Sequence, residues 1–267
     1  MSTYVPPFIH ACNLLNQLKI DMIPTPVEDI CNKLNIDLKY NDEMDAEALL
    51  LKGGKLKSPI IVVNTANRYG TRTRFSIAHE LGHYYIPNHI NEIYTCTLID
   101  LDNYQSNKLV EKEANEFAAE LLMPNAWIKN AIKSIDVSLE LLKTLSNKCE
   151  TSLTATALQV SNSCSDRIAV VYSKDERIVW FNKAQSFNLY LVTGKLSKLS
   201  IAAEMFSSGG LLSEKKDSVP IEAWTHDDRN YKILIEDSLY MPYLNSVLTL
   251  LTIPYDEYDE EDDELFY

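Results

Sequence analysis

Two histidines four residues apart constrain this chain more than any other feature. They lie in Arg74-Phe75-Ser76-Ile77-Ala78-His79-Glu80-Leu81-Gly82-His83. On a helix of about 3.6 residues per turn, His79 and His83 fall nearly in line and about 6 Å apart along the axis, so both can grip one ion. Glu80 projects toward the same cavity but one position off the ligand line, where it serves as a base instead of a ligand. The pattern predicts a helix over residues 71–85 that ends before Pro87.

A second helix is predicted over residues 108–123, stopped by Pro124, with Glu111, Asn115, Ala118 and Leu122 on one stripe. The small side chains of Ala118 and Ala119 let it lie close against the first helix, with Glu111 near the metal and Asn115 one turn further on. There Asn115 can hydrogen-bond a ligand histidine and fix its orientation. Glu113, two residues from Glu111, is the rival third ligand, although it sits on a different helical face from Asn115.

The segments FSIAHELGHYYIPNH and EKEANEFAAELLMP together resemble the ImmA/IrrE family of metallo-endopeptidases. The resemblance implies a gluzincin-like peptidase domain in which His79, His83 and Glu111 bind zinc (Zn2+, with Mn2+ as an alternative), Glu80 is the catalytic general base and Asn115 braces the site. It further implies an enzyme whose protein substrate is a DNA-binding repressor of the helix-turn-helix type, cut to induce a stress, phage or mobile-element response. Two other classes compete with it. One is a non-catalytic regulatory module that binds a protein partner around a structural zinc site; retention of Glu80 counts against it, because a structural site needs ligands but no base. The other is an antitoxin-like or sensory module whose acidic tail docks a basic partner. Tyr84, Tyr85 and His89 are the nearby candidates for an oxyanion donor, with nothing in the sequence to choose among them.

Around these helices the pattern predicts an α+β chain. Helices are expected over residues 8–20 and 26–34, the second capped by Thr25. Strands are expected over 36–40, 48–52 and 59–64, forming a small antiparallel sheet with a turn at Gly53-Gly54. The last strand is read either as an edge that holds an extended peptide or as a covered core strand. Residues 86–107, rich in Asn, Asp, Tyr and Thr, form a connection long enough to be a cleft wall or a surface excursion. Residues 138–147 and 152–162 read as a helix-turn-helix-like pair with Ser152 as cap. The second of these has no Lys or Arg, which favours packing or protein docking and makes direct DNA binding unsupported. Beyond them come a hairpin over 167–181, a helix over 198–206, a break at Gly209-Gly210, and strands over 219–225, 231–236 and 246–253. This carboxy-terminal part is a mixed α/β domain, GAF-like by analogy with longer family members. The expected division is 1–130 peptidase, 131–165 helix-turn-helix-like, 166–255 α/β domain and 256–267 acidic tail.

Charge and composition narrow the partners. The net charge is −13, but eight acids fall between Asp256 and Glu264, which leaves −5 for the rest. Neither figure suits a surface that binds nucleic-acid phosphates. No run approaches the roughly 18 apolar residues of a membrane span, and no basic-then-apolar leader is visible, so a cytoplasmic location without membrane attachment is expected. Cys12, Cys31, Cys96, Cys149 and Cys164 are odd in number and lack a CxxC pair, which argues against a disulfide framework or a cysteine zinc knuckle.

Overall fold

A computed structural model describes residues 4–66, 70–96, 109–226 and 231–254. The acidic tail and the expected start of the second helix at Lys108 lie outside them. Among the described residues there are eight α-helices and two sheets, a mixed α/β architecture. The chain divides into two compact units, residues 1–128 with 144–156 and residues 129–143 with 157–267. The division therefore passes through the segment 131–165 instead of bounding it.

In the first unit the elements are α1 (Pro7–Leu18), α2 (Val27–Lys33), β1 (Asp37–Asn41), β2 (Ala48–Leu51), β3 (Ile60–Asn64), α3 (Gly70–Tyr85), β4 (Ile93–Cys96) and α4 (Leu109–Leu122). Their sheet has the order β1-β3-β2-β4. β2 and β3 form the expected antiparallel hairpin, with Leu50 opposite Ile61, and Gly53 and Gly54 take positive φ in its turn. β1, however, runs parallel to β3, so the sheet is mixed and not antiparallel. The hairpin has inserted β3 between β1 and β2, which also makes β3 an interior strand and not the edge. The edge beyond β2 is β4, formed inside the connection that the sequence left without structure.

Alternation on these strands places Ala48, Leu50, Ile61 and Val63 inward. α3 lies against β2 and β3, burying Ile77, Ala78 and Leu81. α3 also meets α4, with a close approach at Gly82. A Cβ on Gly82 would lie 3.2 Å from Ala114 Cα and 3.2 Å from Phe117 Cδ1. Thr25 does not cap α2: Pro26 occupies the cap position, and Thr25 Oγ1 donates to the Leu121 carbonyl at 2.8 Å. The chain before α2 is thereby tied to the end of α4.

Next come α5 (Asn125–Ala131), α6 (Leu139–Cys149) and α7 (Leu153–Ser163). Ser152 does cap α7, its Oγ accepting from the Ala155 amide at 3.2 Å.

The second unit holds β5 (Ile168–Lys174), β6 (Arg177–Lys183), β7 (Gly194–Lys195), α8 (Ile201–Ser207), β8 (Glu214–Pro220), β9 (Ile233–Met241) and β10 (Ser246–Thr252). All pairs in its sheet, of order β7-β6-β5-β10-β9-β8, are antiparallel. Trp224, Phe187, Val171, Met205 and Leu251 belong to its apolar core. The strand expected over 219–225 is displaced. β8 ends at Pro220, and a 3-10 turn at Ile221–Ala223 swings Trp224 into the core. β8 is an edge strand with mostly exposed side chains, so it carries no apolar alternation to read. No described helix is long and apolar enough to cross a membrane.

Candidate metal centre

The last turns of α3 and the first turns of α4 bring His79, His83 and Glu111 to one point inside the protein. His79 Nε2 lies 3.1 Å from His83 Nε2. Glu111 Oε2 is 3.2 Å from the first and 3.3 Å from the second. Zinc held tetrahedrally at about 2.0–2.1 Å separates its ligand atoms by roughly 3.3 Å, so the donor spacing fits the ion without rearrangement.

The outer partners of the two imidazoles settle which lone pairs face inward. His79 Nδ1 is 2.8 Å from Asn115 Oδ1, and because a carbonyl oxygen only accepts, Nδ1 carries the proton and Nε2 presents a lone pair. On the other side, His89 Nε2 lies 3.0 Å from Glu113 Oε2 and His89 Nδ1 lies 2.9 Å from His83 Nδ1. His89 Nε2 therefore donates to the carboxylate, its Nδ1 accepts from His83 Nδ1–H, and His83 Nε2 is a second lone pair at the centre. Burial lowers the pKa of His83 to about 4 and lowers that of His89 as well, keeping both rings neutral. Lone pairs from two imidazoles and a carboxylate that converge in this way repel one another unless a cation lies among them.

The carboxylates carry the same message. Burial pushes Glu111 up, but when the metal's place is taken by a proton on His79 or His83 Nε2, its hydrogen bond and charge hold Glu111 well below the usual carboxylate range. Positive charge at this point, proton or metal ion, thus keeps Glu111 ionised. Glu80 is fully buried, and neither of its oxygens has a hydrogen-bond partner among the described residues. Burial, then the negative charge of Glu111, push its pKa well above the ordinary value. A buried carboxyl without a partner costs stability, and its place beside an ion-shaped donor set accounts for it.

His83 is held from further sides. The Tyr94 ring of β4 stacks on it with centroids 4.1 Å apart. Lys52, just past β2, donates from Nζ to the His83 carbonyl at 2.6 Å and also to the His89 carbonyl. Its positive charge at the end of α3 complements the helix dipole.

All five residues expected at the site are therefore together: His79, Glu80, His83, Glu111 and Asn115. Glu113, the rival ligand, faces His89 instead of the donor set. Of the oxyanion candidates, Tyr85 turns away, donating its hydroxyl to Gln17 at 3.0 Å, and His89 is committed to His83 and Glu113. The sequence reading missed the His89–Glu113 pair and Lys52. Only the spacing of His89, six residues after His83, could have hinted at it.

A helix pair with buried His, His and Glu donors against a small mixed sheet is the build of a metallopeptidase-type domain. Residues 31–161 match the family described as Peptidase_M78, IrrE N-terminal-like domain, and over that stretch the chain belongs to the ImmA/IrrE family. No curated protein matches the chain. Among solved structures, one titled Mycobacterium tuberculosis transcriptional regulator is similar with a TM-score of 0.62 and 13% identity, covering 92% of this chain and 76% of the other. That likeness is one of fold.

Proposed function

We propose that the chain is a zinc-dependent endopeptidase whose base is Glu80 and whose ligands are His79, His83 and Glu111, with Mn2+ as the alternative metal. The observation that carries this reading is the convergence of three inward lone-pair donors beside a buried carboxyl that no described residue engages by a hydrogen bond. Zinc held there would supply a Lewis acid for a peptide carbonyl and acidify the attacking water. Glu80 takes the proton from that water and returns it to the departing amine, a transfer favoured by a carboxyl with a raised pKa. Asn115 and the His89–Glu113 pair hold the two imidazoles in the tautomers that face the centre. β4, the edge strand whose Tyr94 stacks on His83, offers backbone groups to an extended peptide in the manner of strand addition.

The proposed substrate is a DNA-binding repressor of the helix-turn-helix type, cut in the cytoplasm to induce a stress, phage or mobile-element response. Support comes from the family of residues 31–161 and from the fold shared with a protein titled a transcriptional regulator. On this reading α6 and α7 dock protein and not DNA, since α7 has no basic residue, and the second unit is a GAF-like sensor. The test is to incubate the zinc-loaded protein, and Glu80→Gln beside it, with the repressor encoded nearest to its gene. Cleavage by the parent alone is the expected outcome. An intact repressor bound equally by both proteins would hand the function to a non-catalytic binding module with a structural zinc.

A further inference from the structure

Next to the first donor set lies another. A nitrogen of His79, a carboxylate oxygen of Glu80 and the Cys96 sulfur all lie within 4.8 Å of one another. Cys96 is the last residue of β4, set in register opposite Ala48 of β2 and not bridged to another cysteine. It is buried, with 1% of its surface exposed, while His79 and Glu80 expose none. A buried thiol is ordinarily an inert small hydrophobe. This one shares its surroundings with a carboxylate whose two oxygens both lack a hydrogen-bond partner among the described residues. Thiolate and carboxylate together suit zinc or cadmium, whereas magnesium and calcium select oxygen donors alone.

We propose that Cys96 and Glu80, flanked by His79, form a second and inhibitory site for a thiophilic divalent cation, zinc in excess or cadmium. The proposal rests on Glu80 being the base of the first centre. His79 Nε2 belongs to that centre, because Nδ1 is taken by Asn115. The second ion is therefore held by two protein ligands, with water in its other positions, and binds more weakly than the first. Binding releases the thiol proton to solvent, and the ion then occupies the carboxylate that should take a proton from water. Zinc at one equivalent switches the enzyme on, and zinc beyond it switches the enzyme off.

The experiment counts ions on the metal-free full-length chain by native mass spectrometry as zinc, then separately cadmium, is added. Two ions are expected on the parent and one on Cys96→Ser. Cadmium should also give an ultraviolet thiolate charge-transfer increment with the parent that Cys96→Ser lacks; the other four cysteines are common to both chains, so the difference reports Cys96. Excess zinc should inhibit cleavage by the parent and spare Cys96→Ser. Should Cys96→Ser fail to fold, Glu80→Gln, nearly the same shape, carries the same count with one ion expected. One ion on the parent overturns the second site and leaves the first standing. No ion on any of the chains overturns both.

Discussion

Glu80 and Glu236 are both sealed completely from solvent, one in each unit, and the fold treats them in opposite ways. Glu236, on β9, accepts two hydrogen bonds at each oxygen. Oε2 takes the Ile201 amide at 3.0 Å and Trp224 Nε1 at 2.8 Å, while Oε1 takes the Ala202 amide at 2.8 Å and the Ser238 hydroxyl at 3.0 Å. It thereby satisfies the first amides of α8 and fixes that short helix to the sheet. Glu80 accepts nothing from the described residues. Removing a carboxylate from water costs several kcal/mol, and only at Glu236 do protein donors offset that cost. One carboxyl is there to hold the structure, and the other is kept open for what binds beside it.

The contrast breaks most visibly under isosteric substitution. Glu80→Gln should lower peptide cleavage by about 10²–10⁴-fold, the usual contribution of a general acid–base group. With one equivalent of zinc added its metal content should match the parent's, because the three donors of the first centre are untouched, and its unfolding midpoint should equal or exceed the parent's, because the fold loses no hydrogen bond. A large fall in stability would mean that Glu80 is structural after all. Glu236→Gln should do the reverse within its own unit. An amide nitrogen must then face two of the four donors, leaving buried polar groups unpaired at about 3 kcal/mol in unfolding free energy, measured by urea denaturation. A loss below about 1 kcal/mol would remove the distinction between the two glutamates.

A smaller effect is expected at the outer ring of the centre. Glu113→Gln and His89→Ala leave the three donors in place but free His83 to turn, and should weaken zinc binding by about 10–100-fold in a competitive chelator titration. Unchanged affinity would make the pair a packing feature. Asn115→Ala should act the same way through His79.

How much of this could be read from the sequence follows from range along the chain. His79, Glu80 and His83 sit within two helical turns, so their geometry is a consequence of 3.6 residues per turn. Glu111 and Asn115 repeat that logic on a second helix, and the two motifs together specify the family. His89 and Glu113 were not legible as a pair, because they meet across a loop and a helix face, although period alone did set Glu113 on a different face from Asn115. The hairpin of β2 and β3 was visible in its glycine turn, whereas the parallel pairing of β1 depends on which side of the hairpin the chain returns to, a choice no local pattern encodes. β4 was hidden in a polar segment since only Tyr94 and Cys96 face inward. Glu236 looked like one more charged residue near the end of a predicted strand. Its role depends on Trp224, which a 3-10 turn delivers, and on α8, thirty-five residues before it.

The smallest effect concerns pH and asks whether the four donors at Glu236 outweigh its burial. Burial raises the pKa of Glu236, and the hydrogen bonds from Trp224, Ala202, Ile201 and Ser238 pull it back only part of the way. A carboxyl that holds its proton more tightly folded than unfolded contributes stability that is fully present below the unfolded pKa, about 4.3, and is lost as pH rises through the native value. Glu236→Gln abolishes that titration. The stability difference between parent and variant should therefore be widest in acid below about pH 4 and narrow as pH rises, measured by urea unfolding at a series of pH values. A difference that widens with pH would show the donors winning. Glu236 would then be an ionised anchor, and its contrast with Glu80 would extend from hydrogen bonding to charge.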